Sequence, residues 1–91
     1  MHMSAKGRKE FLEAVSGNPL VIQYVKLFRV PLFLTVLDEE LKKYDESVWE
    51  NETTVREIAF KALPATLQQF SFPQEEIDQV IDQCVADFAL K

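Results

Sequence analysis

The densest apolar stretch of the chain runs from Leu20 to Leu37, where 13 of 18 residues are hydrophobic, and it is followed at once by Asp38-Glu39-Glu40. Burying such a run requires the rest of the chain to fold around it. The clearest surrounding element lies at the C-terminal end: Ile77, Val80, Ile81, Cys84, Val85 and Phe88 recur with the 3.6-residue period, and Glu75, Glu76, Gln79, Asp82, Gln83 and Asp87 take the intervening positions. This spacing predicts a helix over 73–89, with its early acids favourably placed at the positive helix end.

The same reading applied from the start of the chain predicts a first helix over 5–16, capped by Ser4 and turning Phe11, Leu12 and Val15 inward. Ser16-Gly17-Asn18-Pro19 then places a helix stop, an N-cap and an N1 proline in succession, so a tight helix-to-helix turn is expected. A second helix follows over 19–29, burying Leu20, Val21, Tyr24, Val25 and Phe28. Its β-branched and aromatic content makes a strand the competing reading, but strict alternation is absent and the start signals favour helix. Val30 precedes proline, which disfavours the α region, so the break is expected there and Pro31 opens a third helix over 31–44. Phe33, Leu34, Leu37, Leu41 and Tyr44 share one side of it.

Thr54-Val55-Arg56-Glu57 has the form of a capping box and opens a helix over 54–63, with Val55, Ile58, Ala59 and Ala62 facing inward. Pro64 lacks a backbone donor and is expected to end that helix with a restart, the alternative being a kinked continuation through Leu67 and Phe70. The predicted fold class is therefore all-α: a compact bundle of four to five short helices forming one domain over 1–91. Residues 1–4 are expected to be disordered and in part a cloning remnant before Met3.

Charge sharpens this picture. Residues 1–37 carry five Lys/Arg against two Glu, and residues 38–57 carry eight acids against three bases. With a net charge of −5, the chain lacks the basic surface that displaces counterions from a phosphate backbone, so no nucleic-acid partner is expected. A partner with a basic surface fits the overall charge better. Gln23, Lys26, Arg29 and Pro31 interrupt the apolar run, so no membrane span or membrane partner is expected. Cys84 is the only cysteine, which excludes an internal disulfide and, with no secretory h-region, suits a cytoplasmic location.

Catalytic and cofactor chemistry lacks its residues. Gly7 and Gly17 are the only glycines, too few for a phosphate loop or a dinucleotide fingerprint. His2 is the only histidine, and Cys84 sits within an apolar stripe where a small core residue belongs. Read as a calcium loop from Asp45, the chain puts Trp49 at the fifth position, Glu50 where glycine is required and Arg56 at the twelfth, so no metal is expected. No catalytic residue and no cofactor is assigned, and the protein is not expected to be an enzyme.

Two features suit a partner. Val48 and Trp49 lie amid Glu46 and Glu50, an aromatic anchor with an acidic rim; the competing reading folds Trp49 back to close one end of the core. Leu27, Phe28, Leu32, Phe33 and Val36 surround the Pro31 break as surplus apolar area, either core or a surface for a homodimer or another protein. The function expected is a small soluble helical interaction module acting as adaptor, regulator or inhibitor. The alternative is an effector-binding domain for an apolar or anionic small molecule held between helices, with Gln23, Lys26 and Arg29 as its polar contacts.

Overall fold

The computed structural model of the chain describes residues 7–90, so the Ser4 cap and the expected disordered start over 1–4 lie outside the described residues. Among the described residues there are five α-helices: α1 (Arg8–Ser16), α2 (Pro19–Val25), α3 (Val30–Leu41), α4 (Glu52–Gln69) and α5 (Ile77–Leu90). Short 3-10 turns at Leu27–Arg29, Glu46–Glu50 and Gln74–Glu76 link them, and no strand occurs among the described residues. The protein is thus a small all-α bundle.

Local signals explain most helix ends. Gly7 is the N-cap of α1, and its N–H donates to the Glu10 carboxylate at 2.8 Å. Asn18 caps α2 by accepting from the N–H groups of Leu20 at 2.9 Å and Val21 at 3.3 Å. Its amide is buried and donates onward to Gln83 at 3.1 Å, which ties the first turn to α5. The opening of α4 differs from the expected Thr54 box: Asn51 caps it, accepting from Thr53 and Thr54, and the helix starts at Glu52. An Asx side chain two and three residues upstream of free N–H groups makes the stronger cap.

Two expected breaks are displaced. The first falls at Lys26 rather than Val30: α2 ends at Val25, Lys26 adopts φ 77° and ψ 134°, and Val30 itself is helical at φ −56° and ψ −42°. The second, at Pro64, is missing, because α4 runs unbroken through the proline to Gln69. Pro64 gives up the bond to the Phe60 carbonyl, yet Val55, Ile58, Ala59, Ala62, Leu63, Thr66 and Leu67 are all buried and keep one helical phase across it. Burial on both sides of the proline holds a single helix. The third helix also stops at Leu41 rather than residue 44, and Lys43 and Tyr44 close a turn onto the carbonyls of Glu40 and Leu41.

The C-terminus of α4 shows what the chain accepts to make a sharp stop. Phe72 N–H donates to the Leu67 carbonyl and Ser71 N–H to the Gln68 carbonyl, both at 3.1 Å, with Ser71 left-handed at φ 62°. These are the paired bonds of a Schellman stop, with serine where glycine is usual.

The core is one cluster. α5 packs along α4 and α1, and α3 packs on α4 and α1, with α2 crossing over α1 and α3. Val30, Phe33, Leu37 and Leu41 form the inward stripe of α3, and Ile77, Val80, Ile81, Cys84, Val85 and Phe88 that of α5. Ion pairs clamp the outside: Arg8 to Asp38 at 2.6 Å joins α1 to α3, and Arg56 to Asp82 joins α4 to α5.

Because α4 tolerates Pro64 through packing alone, Pro64→Ala restores a helical donor. It is expected to stabilise the fold by about 1–3 kcal/mol and to raise the melting temperature by about 4–8 °C per kcal/mol. A lowered melting temperature would show that the pyrrolidine ring itself is needed in the packing.

Candidate functional site

The two candidate surfaces part company in the structure. At the first, Asp45 starts the Glu46–Glu50 turn, its backbone carbonyl accepting from Val48 N–H at 3.1 Å and its carboxylate from the Ser47 hydroxyl at 2.6 Å. That hydroxyl holds the Asp45 carboxyl below the usual range. The turn delivers Trp49 into the core at 5% exposure, against Phe11 at 5.5 Å and Phe88 at 6.0 Å between ring centroids. Phe11 and Phe88 meet edge-on at 5.8 Å, so three rings from α1, the turn and α5 close one end of the bundle. Val48 is half-buried, and Glu46 and Glu50 remain exposed. The acidic rim is present, but Trp49 is core and presents no anchor. In so short a chain, the largest side chain is worth more inside than outside.

At the second, the Lys26 break turns the chain through 91° between Pro19–Val25 and Leu27–Leu41. Lys26 N–H still donates to the Ile22 carbonyl at 3.1 Å, and Arg29 N–H closes on the Lys26 carbonyl at 2.9 Å. Val25 and Val30 go inward on either side of the turn, and Phe33 is fully buried with its ring edge-on to Phe70 at 5.3 Å. What remains outside is a convex corner: Leu27 is 70% exposed, Phe28 79% and Leu32 56%, with Val36 half-buried behind them. Phe28 and Phe33, paired as candidates from sequence, therefore separate into surface and core.

The corner is held from beneath. Arg29 lies over the Phe70 ring at 4.8 Å, and Tyr24 packs edge-on to Phe72 at 5.3 Å while its hydroxyl donates to Glu76 at 3.4 Å. Gln23, Lys26 and Arg29, the alternative ligand contacts, are all exposed on the outside of this corner rather than directed between helices. The Lys26 backbone, in a region that only glycine adopts freely, stores about 1–3 kcal/mol of strain. The surrounding packing holds it there.

Other candidate chemistry lies apart from this corner. Cys84 is buried, and loss of water around it, with the nearby Asp87 charge, pushes its thiol up to about 12. Glu39 and Glu40 bind Lys42 at 3.2 Å and Lys43 at 3.1 Å on the surface of α3, and Lys42 is raised chiefly by its bond to Glu39. Among the described residues no three His, Cys, Asp or Glu side chains converge on a point where a metal could sit, and no single helix is long and apolar enough to cross a membrane.

Comparison with known proteins finds no family model, no curated protein and no solved structure that matches this chain. The exposed corner is thus the feature from which a function has to be argued. Sequence spacing held one unused signal for it: Val21 and Val25 are out of helical phase with Val30, Phe33, Leu37 and Leu41, so one continuous helix could not bury both sets.

Two outcomes are expected. Trp49→Ala should destabilise the fold by about 3–5 kcal/mol, whereas Phe28→Ala should change stability by no more than about 0.5 kcal/mol; thermal melts of the two variants compare them directly, and equal losses would contradict the division of core and surface. For Cys84, a folded thiol raised from 9.0 to about 12 favours the folded state below pH 9, and this contribution is lost as pH rises from 9 towards 12. Urea unfolding across that window should show a shallower alkaline loss of stability in Cys84→Ala than in the parent protein, and parallel curves would contradict it.

Proposed function

We propose that this chain is a small, non-catalytic protein–protein interaction module that presents the Leu27, Phe28 and Leu32 corner to another protein as an adaptor, regulator or inhibitor. The observation that carries this reading is the pairing of three large exposed apolar side chains with a turn held in a strained conformation by buried residues on both flanks. Elsewhere among the described residues the large hydrophobics are buried or half-buried, apart from Leu90 at the end of α5 and a partly exposed Phe60. An isolated surface leucine is ordinary; two leucines and a phenylalanine close together on one projecting turn match the apolar centre of a binding patch.

The size of the corner sets the class of complex. Even at about 150–250 Å² for each side chain, three fall short of the roughly 800 Å² per partner of a standard stable interface. The module therefore suits a transient, exchangeable contact, in which one aromatic knob supplies most of the affinity.

Native mass spectrometry of the protein crosslinked in its own host before purification, which captures a transient contact, tests this. A stoichiometric complex with another polypeptide is expected, lost in Phe28→Ser while the melting temperature stays unchanged. A complex that survives Phe28→Ser would move the docking surface elsewhere. A monomer carrying a small nonprotein adduct, released by Lys26→Ala or Arg29→Ala, would overturn this reading in favour of an effector-binding domain.

A further inference from the structure

The corner differs in charge from the rest of the chain. Residues 14–37 contain no Asp or Glu, although the whole chain has 15 acids and a net charge of −5. Arg8, Lys42, Lys43 and Arg56 each hold a carboxylate, whereas Lys26 and Arg29 hold none among the described residues. Lys9 and Lys61 are also outside these pairs, but each has an acid one helical turn away, Glu13 and Glu57. Lys26 and Arg29 have no such neighbour. Arg29 is further fixed on the Phe70 ring, which leaves its guanidinium edge free to donate.

The start of α3 adds no negative charge of its own: its first turn holds no acid, Pro31 has no N–H, and the Val30 N–H is taken by the Leu27 carbonyl. Two cations without a carboxylate partner among the described residues thus flank the exposed Phe28 and Leu32.

From this juxtaposition we infer that the partner is an acidic amphipathic protein segment, whose apolar side chains receive Phe28 and whose flanking carboxylates meet Lys26 and Arg29. This deepens the proposed interaction function and rests on it. A second copy of the chain fits less well, because an isologous interface would set Lys26 and Arg29 against their own counterparts. An anionic bilayer fits less well too, because two cations contribute little binding to a charged surface. A protein segment can instead place its acids locally against both of them.

The test uses a displayed library of random peptides selected on the intact protein and counter-selected on Phe28→Ser. Survivors should be enriched in Asp and Glu flanking aromatic or aliphatic residues. A synthetic survivor should lose at least about thirtyfold in affinity with Phe28→Ala and about fivefold with Lys26→Gln/Arg29→Gln, and its binding should weaken as salt is raised. Circular dichroism and melting of each variant confirm that the fold is intact. Survivors without acidic enrichment, or binding indifferent to salt, would overturn the acidic partner while leaving the docking corner standing. No survivors dependent on Phe28 would overturn both. Flotation with vesicles of phosphatidylcholine and phosphatidylglycerol that Phe28→Ser abolishes would assign the corner to a lipid surface. A concentration-dependent dimer abolished by the same variant would assign it to a second copy, and either result overturns the inference.

Discussion

A segment that is apolar on nearly every side cannot lie as one straight helix on a small bundle, because whichever face it buries, another is left in water. Leu20 to Leu37 is such a segment, and the fold divides it. The 91° turn at Lys26 gives the two halves separate approaches to the core, so that Val21 and Val25 enter from α2 and Val30, Phe33 and Leu37 from α3. All the other helices are arranged about that division. α5 lays its continuous apolar stripe along α1 and α4, and α4 keeps its helical register through Pro64 because its buried positions demand it.

The division leaves a remainder. Four residues separate Val25 from Val30, and the intervening side chains have no helical phase that takes them inward. Leu27 and Phe28 are therefore outside for a geometric reason, and the turn that puts them there is closed by backbone bonds at 2.9 and 3.1 Å and by Arg29 on Phe70. A corner held this way would lose little entropy on contact with the proposed partner, which offsets the small size of its apolar surface.

Much of the architecture was legible in the residues, and the two misplaced breaks share a cause. The α5 stripe, the Asn18 cap with its flanking Gly17 and Pro19, and the inward set of Val55, Ile58, Ala59 and Ala62 follow directly from periodicity and capping chemistry. At both breaks, the phase of the buried positions overrides the local effect of proline. Val30 is helical before Pro31, and Pro64 sits inside α4, because tertiary burial outweighs preferences of a few kcal/mol. Lys26 could not have been picked out by residue type, since nothing about a lysine announces a left-handed backbone. At the candidate sites, sequence located the apolar surplus around Pro31 but could not divide Phe28 from Phe33, which requires knowing where the turn falls. Trp49 had two readings that composition alone left equal in kind, and the rings of Phe11 and Phe88 that enclose it come from opposite ends of the chain.

That enclosure has an optical consequence. Trp49 is the only tryptophan, and it sits with Phe88 near the C-terminal end of α5, whereas Phe70 and Phe72 beneath the exposed corner precede the start of the same helix. Its indole emission reports on the integrity of one end of the bundle and is nearly blind to events at the other. The chain's single tryptophan thus sits where it records loss of the core, and following the proposed docking would take a separate label near residue 28.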